Sequence, residues 1–314
     1  MSLLVEWNLL DRPAWESLFA QAGRSTLVQS WAWGEAKRAV DGWRPHRAAV
    51  IWAGQPVALA QVLEKRVGGL VRIGRLNRGP VWLRHDLSAK DRLVVIEALR
   101  SRWRWYKLAA LALAPELPEG VVVPGFRPRA ADRWCSAWLD LTQPPETLRK
   151  RLDGKWRNML NASEKAGLLV EASPGYLPWL LDRYRELLRD KGFGATPPAL
   201  VEALAEHAFR PDDMLVLRAQ SAAESGGGHD SVAGILLARH GDAATYLIGW
   251  SGDDGRRLKA SNRLLWQAVV DLPRLGVRWL DLGGIDDKLT PGIAAFKRGM
   301  NGEEYRLAGE FIGA

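Results

Sequence analysis

The 314-residue chain is poor in the residue types from which cross-links and metal sites are built. It holds one cysteine, Cys135, so no intrachain disulfide can form. That cysteine stands in Trp134-Cys135-Ser136-Ala137-Trp138, a setting that reads as core filler rather than nucleophile. The five histidines (His46, His85, His207, His229 and His240) are scattered without metal-ligand spacing, so no metal is expected. No apolar run approaches the ~20 residues needed to span a bilayer. The N-terminus, MSLLVEWNLLDRPAWESLF, has no basic segment ahead of a long apolar core and does not read as a signal peptide. Together these absences imply a cytoplasmic protein, with peripheral contact at the inner membrane face left open. No cofactor is expected.

What is present is a large hydrophobic fraction, 47%, enough for a sizeable core and more than one domain. Lys and Arg exceed Asp and Glu by 44 − 36 = +8. A balance of this size favours anionic partners: nucleic acid, phosphorylated small molecules or an anionic membrane surface. It does not choose among them, and an arginine-rich proteome would give the same figure. The sixteen tryptophans sit mostly at helix or strand periodicity and read as core and domain interface rather than as stacking platforms.

The pattern alternates helices and strands. Residues 11–22 and 30–40 read as helices, the second capped by Ser30. Short apolar runs follow at 47–52, 57–64 and 72–83, then a helix at 88–103 and a strand at 106–112. The second half repeats this order. Strands at 214–219, 232–239 and 245–250 precede a helix at 261–272 and a strand at 277–282, with a hairpin tip at 225–230. Between the halves, Leu148, Leu152, Trp156 and Met159 form an apolar stripe on one expected helix. Arg149, Lys150, Arg151, Lys155 and Arg157 crowd its other faces, as a solvated surface or as a rim for a phosphate backbone. A helix at 176–191 leads to the loop 192–198. Near the C-terminus, TPGIAAFKRGM reads as a short helix from Thr290-Pro291 to Gly299, with Lys297 and Arg298 in its last turn.

Such a duplicated unit predicts an α/β fold of two tandem acetyltransferase-like domains, with mixed sheets flanked by helices. The acetyltransferase version holds the pyrophosphate of coenzyme A on a glycine-containing loop at a helix N-terminus. The equivalent place here, Arg256-Arg257-Leu258-Lys259-Ala260-Ser261, has Lys259 and Ser261 at the glycine positions, which counts against acyl-CoA.

Five blocks in order resemble the FemAB family of peptidoglycan bridge-forming aminoacyltransferases. LVQSWAWGEAKRAVDGW (27–43) is similar to its N-terminal segment and NRGPVW (77–82) to its RGP strand. DGKWRNMLNASEKAGLLVE (153–171), residues 255–286 with LDLGGID, and IAAFKRGMNGEEYRLAGEF (293–311) resemble its later blocks. The resemblance implies a first domain of residues 1–139 plus 303–314 and a second of 140–302. The strand 305–312 would return to pair with the first domain, and no long helical arm is expected, as in an armless, FemX-like form.

The implied reaction is aminolysis of an aminoacyl-tRNA ester by the stem-peptide amine of a UDP-linked or lipid-linked muropeptide. The alternative is an acyl-CoA-dependent N-acyltransferase of related fold acting on a small-molecule or polysaccharide amine. The resemblance assigns Lys297 to the oxyanion of the tetrahedral intermediate; the plain alternative is a cation at a helix C-terminus. Arg298 reads as facing water and Phe296 as anchoring the helix. Lys37, one turn after Trp33, matches a lysine that contacts the acceptor diphosphate, and Arg78 is a second candidate for phosphate. Trp33, Gly283, Gly284 and Phe296 complete the expected substrate site. Asp281 either fixes the Leu-Asp-Leu-Gly-Gly turn or serves as a base. Lys155, Arg157 and Lys165 are candidates for tRNA contact. Two departures from the family pattern stand out: Ala114 where an aspartate is expected, and Thr196 where a diphosphate-reading arginine is expected.

Overall fold

The computed structural model describes residues 3–129, 133–191, 196–222 and 229–313. Most of the loop 192–198 and of the hairpin tip 225–230 lies outside these residues. The first sheet is built from β1 (Leu3–Trp7), β2 (Arg44–Trp52), β3 (Gln55–Val67), β4 (Val71–Gly79), β5 (Val81–Trp82), β6 (Ala109–Pro115) and β7 (Arg127–Pro128). The second contains β8 (Cys135–Asp140), β9 (Leu169–Ala172), β10 (Met214–Ala222), β11 (His229–His240), β12 (Ala243–Ser251), β13 (Trp279–Asp281) and β14 (Glu303–Arg306). The final strand, β15 (Phe311–Gly313), lies in the first sheet between β6 and β7.

The duplicated order is visible in the pairing. Three antiparallel strands, a helix and a parallel strand occur as β2-β3-β4, Ala89–Arg100 and β6, and again as β10-β11-β12, Ala260–Asp271 and β13. Strand order is β1-β2-β3-β4-β6-β15-β7 in one sheet and β14-β8-β13-β12-β11-β10-β9 in the other. Each sheet carries its own buried cluster. Trp103, Ile96 and Leu111 anchor the first, and Leu160, Leu264 and Leu280 the second.

Three sequence expectations are corrected. The strand foreseen at 305–312 is two strands: Glu303–Arg306 pairs with β8 in the second sheet, and only Phe311–Gly313 reaches the first. Strand β8 also belongs to the second sheet, although residues 135–139 were expected in the first domain. The third correction concerns the single basic helix. It is two helices, Pro145–Arg151 and Gly154–Lys165, because Asp153 turns the chain and caps the second by accepting from the Lys155 and Trp156 amides.

Candidate active site

The two halves differ where their parallel strands run side by side. In the first half, β4 and β6 stay paired from Arg72–Ala109 to Gly79–Pro115. In the second, β12 and β13 pair only over Ala243–Thr245 with Trp279–Asp281. Beyond that point β12 carries a bulge that leaves Leu247 outside the ladder with β11. The chain after β13 follows β8 instead, with the Leu282 and Ile285 amides donating to the Ala137 and Cys135 carbonyls. The strands therefore splay, and a cleft of about 490 Å³ opens at the fork. Leu247, Thr245, Gly284 and Ile285 line it from the second half, and Trp33, Asn77, Arg78 and Ala114 from the first.

A buried ionic network forms one wall. A bulge at Arg78, whose φ is +49°, takes that residue out of the β4–β6 ladder and re-aims its side chain. The guanidinium donates to Glu116 at 3.2 and 3.1 Å, to Asp281 Oδ2 at 2.9 Å and to the Tyr305 hydroxyl at 2.6 Å. Tyr305 in turn donates to Asp281 Oδ2 at 3.0 Å. The other Asp281 oxygen accepts from the Gly283 amide at 2.9 Å and lies against the Ser136 hydroxyl. Burial opposes the charge on Asp281, but Arg78, Ser136 and Gly283 hold its carboxyl below the usual range. Burial likewise opposes the Arg78 charge, yet Glu116 and Asp281 keep it firmly protonated. Glu116 has only Arg78 to offset its burial, and its pKa is raised.

Lys297 lies behind the Gly283–Gly284 turn. It is in the last turn of the helix Pro291–Arg298, and with Ala294 it forms the buried face of that helix. Its ammonium donates to the Gly284 carbonyl at 2.7 Å and lies 5.6 Å from the centre of the Tyr246 ring. Burial lowers its pKa to about 8, against an opposing pull from Asp281. The turn itself demands glycine. Gly283 has φ +72°, and a Cβ there would stand 2.7 Å from the Tyr246 carbonyl and 3.4 Å from the lysine nitrogen. A Cβ on Gly284 would meet the Trp134 ring at 3.2 Å.

Of the residues expected in the substrate site, Trp33, Arg78 and Gly284 line the cleft, with Gly283 and Lys297 directly behind it. Three others lie elsewhere. Asp281 is fully buried and bonded on both oxygens, so it orients Arg78 and the turn rather than meeting a substrate. Phe296 packs on Trp156, 5.9 Å between ring centres, within the core of the second half. Lys37 pairs with Asp41 one turn along its own helix and is not a cleft-lining residue. Lys155 and Lys165 are exposed on the helix Gly154–Lys165, and Arg157 is half-buried there, bonded to the Lys150 carbonyl. Arg298 faces outward and pairs with Asp287 and Glu304. Both departures from the family pattern, Ala114 and Thr196, line the cleft.

Sequence reasoning missed Glu116, Tyr305 and Trp134. Tyr305 and Glu116 reach Arg78 from 227 and 38 positions away, which no local pattern records. Trp134 was a visible aromatic, but only its place over Gly284 marks it as a cleft residue.

Residues 147–298 match the family model of the acetyltransferase (GNAT) domain. The whole chain has the fold of FemX: the two structures superpose with a TM-score of 0.81 at 16% identity, covering 98% of this chain and 96% of that one. A C-terminal domain ascribed to a lysylphosphatidylglycerol synthetase of Agrobacterium fabrum matches with a TM-score of 0.52 at 16% identity, over 90% and 87% of the two chains. A conserved protein of unknown function from Bacteroides thetaiotaomicron matches with 0.60 at 12% identity, over 98% and 99%. No curated protein matches the sequence.

Proposed function

We propose that this FemX-folded chain is an acyltransferase that moves an amino acid from aminoacyl-tRNA to an amine of a peptidoglycan precursor. The observation that carries the proposal is the ammonium of Lys297 behind a glycine turn, at the fork of splayed parallel strands. An aminoacyl ester is already activated, so the protein has two tasks. It must hold ester and amine together in the cleft, and it must stabilise the oxyanion formed as the amine adds to the ester carbonyl. Lys297 has three N–H donors and uses one on the Gly284 carbonyl. The others are available to an oxygen that gains charge beside the turn. The amine loses a proton as the C–N bond forms, and the ribose oxygen of the tRNA takes one as the C–O bond breaks.

The FemX fold, the GNAT-domain match and the five ordered sequence blocks support this reading. The cleft walls carry Arg75 and Arg133, both about half exposed, besides the internally paired Arg78 and the carboxylates Asp286 and Glu310, and the two accessible guanidiniums suit an anionic, nucleotide-linked or lipid-linked acceptor. The basic helices at 145–165 offer a surface for tRNA phosphates. The test is incubation with charged tRNAs and muropeptide acceptors, with transfer of the labelled amino acid scored before and after RNase treatment.

A second reading rests on the GNAT-domain match: an acyl-CoA-dependent N-acyltransferase acting on a small-molecule or polysaccharide amine. At the place of the phosphate loop, Lys259 holds φ +56° immediately before the helix Ala260–Asp271. A side chain there narrows the approach of a pyrophosphate to the helix N-terminus. Thermal stabilisation by an acyl-CoA, but not by aminoacyl-tRNA or muropeptide, favours this second reading over the first.

A further inference from the structure

The first sheet ends, on the side away from the cleft, in large apolar side chains that stay exposed among the described residues. The β3–β4 hairpin turns through Gly68 and Gly69, both at positive φ, and holds Leu70 at its tip, 74% exposed. Val67 and Val71 face each other across the hairpin and are both exposed. The Arg72 amide bonds to the Leu108 carbonyl, so the segment Trp105–Leu108 lies alongside. In that segment Trp105 (72%), Tyr106 and Leu108 are exposed. Six large apolar residues thus adjoin at one sheet end. Trp105 is thus an exception to the reading of most tryptophans as core and interface. Scattered exposed apolar side chains need no explanation, but a contiguous group does.

The surroundings of the patch are basic. Lys65 and Arg66 precede the hairpin tip, and Arg104 and Lys107 flank the aromatic pair. The nearby carboxylates are engaged: Glu64 is buried against Arg72 and the Trp103 indole, and Glu97 pairs with Arg104 and Arg100. An apolar tip with tryptophan and tyrosine, ringed by lysine and arginine, has the chemistry of a surface that inserts shallowly among anionic lipid headgroups. A second copy of the chain fits less well, because a two-fold contact would bring these cations against their own equivalents.

We infer that the hairpin tip Val67–Val71 and the segment Trp105–Leu108 form a docking surface for an anionic lipid bilayer. The patch and the cleft lie at opposite ends of β4. Seven residues at roughly 3.3 Å each place Arg78 about 23 Å from Val71. Docking would therefore leave the cleft open to solvent while holding the protein at the membrane. This inference is independent of the transfer reaction proposed above.

The experiment is co-sedimentation with vesicles of phosphatidylcholine alone and of phosphatidylcholine mixed with phosphatidylglycerol. The wild-type protein should bind the anionic vesicles, and binding should weaken as salt is raised. The double substitution Leu70→Glu, Trp105→Glu should reduce binding at least tenfold. Lys65→Glu, Arg66→Glu should remove the preference for anionic vesicles. Circular dichroism should show both variants folded, since every substituted side chain except Lys65 is exposed. Absence of wild-type binding to anionic vesicles overturns the inference, as does undiminished binding by Leu70→Glu, Trp105→Glu. A concentration-dependent dimer that Leu70→Glu abolishes, without vesicle binding, overturns it in favour of self-association.

Discussion

Arg78 on the first sheet and Asp281 on the second are joined by a 2.9 Å hydrogen-bonded ion pair, with Asp281 wholly buried. The pair ties the two halves together beside the cleft. Removing Arg78 leaves Asp281 and Glu116 buried without their shared cation, a loss of about 3–5 kcal/mol, whereas removing Asp281 still leaves Arg78 paired with Glu116. Arg78→Met should therefore destabilise the protein strongly in urea unfolding. A companion variant, Arg78→Met with Glu116→Gln and Asp281→Asn, should recover part of that loss, because no carboxylate is then stranded. Equal stability of Arg78→Met and wild type would contradict the role given to the pair.

The lysine at the fork should titrate in an accessible range. Its pKa is lowered to about 8 from the usual lysine value of 10.5, so between those values the unfolded chain binds more protons than the folded one. Stability relative to Lys297→Met should accordingly rise as pH climbs from about 8 towards 10.5, by at most roughly 3 kcal/mol. Activity should change in the opposite direction. In the proposed reaction the protonated Lys297 donates to the oxyanion, so the pH–rate profile should fall through about pH 8. An alkaline limb that persists unchanged in Lys297→Arg would assign the titration to another group.

Gly283 offers a test of the turn. Alanine at φ +72° is strained, and its methyl would press on the Tyr246 carbonyl. Gly283→Ala should cost roughly 1–3 kcal/mol of stability and displace Lys297 enough to lower kcat more than it raises KM. Trp134→Ala, which removes a cleft wall without touching the lysine, should raise KM with a smaller change in kcat.

His240 is buried where the halves meet, bonded at Nδ1 to the Ser25 hydroxyl and at Nε2 to Thr245. Burial lowers its pKa to about 3. The unfolded histidine titrates near 6.5, so stability supported by the neutral ring should be lost as pH falls from about 6.5 towards 3. The difference in unfolding free energy between wild type and His240→Asn, measured against pH, should slope in that window and be flat above pH 7. A flat difference throughout would remove His240 from the acid response.

How much of this was legible in the sequence depended on the range of the interaction. The helix Pro291–Arg298 could be read from Pro291, Gly299 and the apolar run between them, because caps and periodicity are local. The doubled order of strands and helices was legible for the same reason. The break at Asp153 was not, since Leu148, Leu152, Trp156 and Met159 keep helical spacing across it. Arg78 could be read as a charge beside Gly79-Pro80, but not as a residue on a bulge with three side-chain partners. Its partners come from the residue after β6, from β13 and from β14. The cleft depends on two strands separating after Thr245, and strand pairing over long distances leaves no periodic trace in either segment.

Arg298 and Lys297 are neighbours with opposite environments, one paired with carboxylates at the surface and the other buried with a single carbonyl. The most direct measurement is RNase-sensitive transfer of a labelled amino acid from charged tRNA to a muropeptide acceptor by wild type, Lys297→Met and Arg298→Ala. Wild type should transfer, and Arg298→Ala should stay within about twofold of it, as for an exposed ion pair. Lys297→Met should fall by about 10²–10³-fold, the loss typical of an oxyanion donor. No transfer from any charged tRNA, or a Lys297→Met variant as active as wild type, would contradict the account.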